Sequence, residues 1–174
     1  TAAPQISANE GSNIIILYCS DNSGNTGSSS LITFLVDTTP PAQVSGLSIN
    51  PVPKQPSLNL TWNANTEPDF SVYKIYRSLS GFSDVSALTP INIATTAFYL
   101  DTSLESETTY YYAVTAADDL GNENKNAAAL SRKTADLIPP KITITSPVPI
   151  TYNTQDIDVI YTTDVQASSC AYSL

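Results

Sequence analysis

The sequence predicts an all-β chain of tandem β-sandwiches, and three observations carry that prediction. Thr, Ser, Asn and Tyr abound, prolines number 12, and only 13% of the 174 residues are charged, a balance suited to short strands joined by polar turns. Apolar and polar residues alternate at period two through several runs, as in strands with one buried face. Two proline pairs, in Asp37-Thr38-Thr39-Pro40-Pro41 and Asp136-Leu137-Ile138-Pro139-Pro140, punctuate the chain. Proline fixes φ and pushes its predecessor toward extended conformations, so both pairs read as short, stiff connectors. Between them lie roughly 100 residues, the size of one sandwich.

The strands of that middle piece follow from its alternation. Val44, Leu47 and Ile49 suggest a first strand, and Leu58, Leu60 and Trp62 alternate with Asn59 and Thr61 in a second. Val72-Tyr73-Lys74-Ile75-Tyr76 is β-rich enough for a third, and Phe98 with Leu100 marks a short one. The longest runs from Thr109 to Ala116, with Tyr110, Tyr112, Val114 and Ala116 sharing a face.

Charge and residue content exclude several functions. Sixteen acidic against seven basic side chains give a net charge of −9, which repels phosphate backbones and anionic lipid surfaces, so nucleic acid is not expected as a partner. There is no histidine, and the two cysteines lie far apart, without the close pairs that zinc or iron–sulfur sites use. The longest aliphatic run is Ile14-Ile15-Ile16-Leu17, far short of the roughly 20 residues of a membrane span, so no membrane insertion is expected of this segment. No methionine occurs, and Thr1-Ala2-Ala3-Pro4 resembles neither a start site nor a signal peptide. The chain reads as a piece of something longer.

The stretch Leu58-Asn59-Leu60-Thr61-Trp62, then Glu67-Pro68-Asp69, then Tyr73 to Arg77, then Thr109 to Asp118 resembles a fibronectin type III module of prokaryotic surface proteins. The resemblance covers residues 39–138. It implies that Trp62 is the core tryptophan and that Tyr110 is the corner tyrosine, its hydroxyl bonding back to the chain near Leu104.

Residues 1–38 carry Glu10-Gly11-Ser12-Asn13, an apolar strand to Cys19, the turn Asp21-Asn22-Ser23-Gly24-Asn25 and Phe34-Leu35-Val36-Asp37. They resemble the last three strands of an immunoglobulin-like module of bacterial and archaeal surface proteins. Residues 139–174 resemble its first three strands. The fold class is therefore tandem immunoglobulin-like sandwiches, one complete and one split between the two ends. Two or three strands leave an apolar face and an open edge in water. The expected partners are accordingly copies of the chain joined head-to-tail by strand complementation, or neighbouring repeats of one long polypeptide.

Several residues are candidates for more specific roles. Cys19 falls on one face with Ile15 and Leu17, and Cys170 on one with Tyr172 and Leu174. In a completed split unit the two form a disulfide in an oxidising compartment, or remain two buried thiols. Asp21 and Asn25, and Glu67, Asp69, Asp118 and Asp119 at one end of the middle unit, offer oxygen ligands to calcium, although hairpin turns demand the same residue types. No other cofactor is implied. Asn59-Leu60-Thr61 is an N-glycosylation sequon on the outward face of its strand. Among the ten tyrosines, Tyr111 and Tyr76 are read as outward-facing, able to stack on cell-surface glycans or proteins, or simply across strands.

No nucleophile with a neighbouring base can be assembled without histidine, and sandwiches of this size rarely supply the cleft that a carboxylate pair needs. The sequence therefore predicts a non-enzymatic, extracellular structural unit of a filament or stalk. The alternative is an adhesin or accessory binding module of a secreted protein.

Overall fold

A computed structural model of the chain describes residues 5–148, 150–151, 153, 156–166 and 168–171. Among them are 13 strands and no helix.

The middle unit holds seven strands: β5 (Ser48–Pro51), β6 (Leu58–Thr61), β7 (Phe70–Ser78), β8 (Asn92–Ala94), β9 (Phe98–Asp101), β10 (Thr109–Asp118) and β11 (Leu130–Lys133). One sheet has the order β5-β6-β9 and the other β11-β10-β7-β8, with every pair antiparallel. The core lies between them. Leu58, Leu60 and Trp62 point inward from the first sheet, and Tyr73, Ile75, Tyr110, Tyr112, Val114 and Ala116 from the second. Each fully buried aliphatic or aromatic side chain contributes about 1.5–3 kcal/mol. Trp62 meets the Tyr73 ring edge-on, with centroids 5.2 Å apart.

One expectation is corrected here. Val44 and Leu47 pack against the core, but the first strand begins only at Ser48. The short strand expected at Phe98 and Leu100 is β9, in which those two side chains are exposed while Asp101 is buried. Asp101 turns inward because Arg77 Nη1 reaches both its oxygens, at 3.0 and 2.9 Å, and the Tyr112 hydroxyl donates to it at 2.7 Å. A buried carboxylate is tolerable only when paired and bonded in this way.

The outer face of β7 and β10 is also covered. Tyr76, Val85, Ala113 and Ala127 form a second cluster, with Phe82 and Leu88 against it. The outward-facing Tyr76 expected from the sequence is thereby corrected: its side chain is buried, and its hydroxyl donates to Glu123 Oε1 at 2.7 Å. Lys74 Nζ (2.7 Å) and Thr115 Oγ1 (2.6 Å) donate to the same carboxylate. Burial pushes the Glu123 carboxyl pKa up, but these donors outweigh it and hold the group below the ordinary glutamate value.

The flanking segments form two-stranded sheets. β1 (Gly11–Ile15) pairs with β4 (Ile32–Val36), β2 (Tyr18–Ser20) with β3 (Thr26–Ser28), and β12 (Ile142–Ser146) with β13 (Ile160–Thr163). Many of their apolar side chains stay in solvent: Ile14 is 65% exposed, Leu35 72% and Ile144 61%.

Candidate functional site at the interunit joint

The first connector is bonded to the units on both sides of it. On the preceding side, Glu10 accepts from the Thr38 backbone N–H (3.0 and 3.1 Å) and from its hydroxyl (2.6 Å). On the following side, the Ala42 N–H donates to Glu67 Oε1 at 2.9 Å, and the Ala42 carbonyl accepts from Asn65 Nδ2 at 2.9 Å. Gln43 donates its side-chain amide to the Asn126 carbonyl. With proline at 40 and 41 removing two further degrees of backbone freedom, the connector has few ways to bend.

The loop after β10 adds a further contact. Asp118 Oδ1 accepts from the backbone N–H groups of Leu120 (2.9 Å) and Asn122 (2.8 Å), and Asn122 Nδ2 returns a bond to Asp118 Oδ2 at 2.7 Å. Gly121 closes the turn at φ +89°, a left-handed backbone that suits glycine. The same Asn122 amide also donates to the Asp37 carbonyl at 3.1 Å. The loop thus locks itself and then holds the connector.

Here three carboxylates converge: single oxygens of Asp37, Asp69 and Asp118 lie within 4.8 Å of one another. Asp118 is buried, which raises its pKa, yet the Asn122 and loop donors more than compensate and keep it below the usual aspartate range. Oxygen-only donors are the type that calcium takes. Asp118, however, already directs both oxygens at amide donors of its own turn.

Of the six calcium candidates, the structure gathers Asp69 and Asp118, with Asp37 as an unforeseen third. Glu67 instead accepts from the connector, and its own, Ala42 and Asn65 donors lower its pKa. Asp119 gives its N–H to the Asp69 carbonyl at 3.2 Å. Asp21 and Asn25 lie in the separate β2–β3 turn and bond each other at 2.9 Å.

The remaining candidates are dispersed. Cys19 and Cys170 are free and exposed in the single chain; no second layer covers the β2–β3 hairpin, and the inward position expected for Cys19 belongs to the completed split unit. The Tyr172 and Leu174 side of the Cys170 expectation lies outside the described residues. Asn59 sits on the central strand β6 opposite Asn50 and Leu100, with Oδ1 covered and unpartnered rather than projecting freely. Tyr111 is half-buried, its ring 3.3 Å from where a side chain on Gly81 would begin.

A shallow recess of about 180 Å³ runs along Ala42, Ser45, Asn63, Asn65 and Glu67, and another of about 300 Å³ lies between Val44, Leu47, Val114 and Ala127. Neither joins a nucleophile to a base. At the opposite pole, the Glu105 N–H donates to the Tyr110 hydroxyl at 3.1 Å, fixing the turn into β10. A three-plus-four antiparallel sandwich with a tyrosine-locked corner decides the architecture. The middle unit is a fibronectin type III sandwich.

Such sandwiches are non-catalytic modules, and this one is built as one. No family model matches the chain. Exoglucanase B of Cellulomonas fimi is 39% identical over 95 residues, a match spanning 55% of this chain and 8% of that protein. A Fn3-like protein from Clostridium thermocellum is similar over 57% of this chain and 98% of its own, at 32% identity and TM-score 0.45. The protein FN3tt is similar over 56% and 97%, at 26% identity and TM-score 0.45.

Proposed function

We propose that the chain is a structural repeat unit of an extracellular filament or cell-surface stalk, in which the fibronectin type III sandwich alternates with a split immunoglobulin-like unit. The unit divides at 1–38 and 139–174, and each half is completed by a copy of the other from the next chain or the next repeat. One observation carries this reading. The outer sheets present apolar side chains to water on both flanks, among them Leu35 at 72% and Ile160 at 57% exposure, and a matching β-sheet is the cover that satisfies both the apolar face and the open edge. Copies of the same chain supply both halves.

Extracellular placement is supported by the relative named Exoglucanase B. In an oxidising compartment Cys19 of one copy and Cys170 of the next pair into a covalent staple, and Asn59 is the glycosylation acceptor. A second reading, an accessory module of a secreted enzyme, is favoured by the same relative.

Sedimentation velocity over a concentration series tests the proposal. End-to-end association that lengthens with concentration is expected, and non-reducing electrophoresis of oxidised protein should give a ladder in steps of 18.5 kDa. A chain that stays monomeric at hundreds of micromolar sinks the repeat-unit reading and leaves the accessory module.

A further inference from the structure

The chain contains the parts of its first joint twice. The turn Asp21 to Asn25 repeats the Asp118 to Asn122 turn bond for bond. Asp21 Oδ1 accepts from the Ser23 and Asn25 N–H groups, both at 2.9 Å, and Asn25 Nδ2 donates to Asp21 Oδ2 at 2.9 Å. Gly24 has φ +87° where Gly121 has +89°. Backbone bonds close both turns alike, Gly24 N–H to the Asp21 carbonyl at 3.1 Å and Gly121 N–H to the Asp118 carbonyl at 3.2 Å.

The connectors repeat as well. The Asp37 carboxylate accepts from the Thr39 N–H at 3.0 Å, and the Asp136 carboxylate from the Ile138 N–H at 2.9 Å, each aspartate three residues ahead of a proline pair's start. One turn and one connector are joined in the structure, through Asn122 Nδ2 and the Asp37 carbonyl. The other two are not: the second N–H of Asn25 Nδ2 and the Asp136 carbonyl have no partner among the described residues.

We infer that the 21–25 turn is a docking site for the 136–140 connector of an adjoining copy, its Asn25 amide donating to the Asp136 carbonyl as Asn122 donates to Asp37. The inference rests on the repeat-unit reading and adds the polar contact that sets the angle at the second joint. An amide that locks its own turn is already ordered, so its second N–H binds at little further entropic cost. Completion of the split unit brings the two together: residues 139 onward form the front of that unit and the turn of the next copy belongs to its back.

Zero-length carbodiimide cross-linking on the whole chain tests this. Ser23→Lys puts an amine at the exposed turn position that corresponds to Leu120, and unlabelled and ¹⁵N-labelled chains are mixed so that cross-links between copies carry both isotopes. Leu120→Lys, cross-linking within one chain to Asp37 or Asp69, shows that the geometry of the joined pair is reactive. The expected result is a mixed-isotope peptide joining position 23 to Asp136, reduced several-fold when Asn25→Ala is added. Association by sedimentation without that peptide overturns the docking site but leaves the repeat unit standing. Absence of association overturns both.

Discussion

Glu10 receives the backbone N–H and the hydroxyl of Thr38, 28 residues further along the chain, on one carboxylate. Those bonds lower its pKa, the Thr38 hydroxyl contributing most. Glu10→Ala removes every acceptor while Glu10→Gln keeps one oxygen. Amide hydrogen exchange at Thr38 should therefore accelerate strongly in the alanine variant and less in the glutamine variant, with Val114 in the core unchanged. Equal protection in all three proteins would mean that the contact does not hold the connector.

Acid should loosen the molecule at both the joint and the outer face. Glu10, Glu67, Asp118 and Glu123 all have folded pKa values below their ordinary ones. A depressed folded pKa contributes stability that is present above the unfolded value and lost as pH falls through the folded one. The melting temperature should accordingly be flat from neutrality to about pH 5 and fall steeply below about 4.5, where the unfolded chain takes up protons first. Glu123→Gln should flatten the fall; an unchanged slope would remove that residue from the account.

Three carboxylates within 4.8 Å repel one another. Asp69 makes no side-chain bond among the described residues, so Asp69→Asn removes one charge without removing a partner there. In chelator-containing, low-salt buffer this variant should be more stable by roughly 0.5–1 kcal/mol, a gain that shrinks at high salt. Destabilisation under those conditions would show that the Asp69 charge has a favourable partner.

Asn59 Oδ1 is covered without a donor, which costs about 1–3 kcal/mol for a buried polar atom. Asn59→Val in unglycosylated protein should raise the denaturant midpoint, since a β-branched residue suits a central strand. A lowered midpoint would mean that the amide is satisfied in solution.

Much of the sandwich was legible because β10 writes its pattern plainly: Tyr110, Tyr112, Val114 and Ala116 alternate onto one core. Strands β8 and β11 have no such pattern. β11 is exposed along all four residues and β8 has only three, so neither shows period two. Local alternation turns Tyr76 outward because its cover, Val85 and Ala127, comes from loops that local periodicity cannot place. Asp37 carries no local signal as a site residue for a related reason, its partner Asn122 lying 85 residues away. The repeated Asp-x-x-Gly-Asn turn was the available signal.

The connectors leave the sandwich from opposite poles, one beside the 67–69 and 118–122 loops and the other where Leu137 donates to Ser106 Oγ at 2.9 Å. Tension applied through the two connectors therefore draws β5 and β11 in opposite directions parallel to their own axes. Ladder bonds in antiparallel pairs lie across the strands, so such a pull loads the rungs of β5–β6 and β10–β11 together in shear instead of opening them one at a time. The module resists extension as a lap joint does, yielding only when whole ladders fail at once.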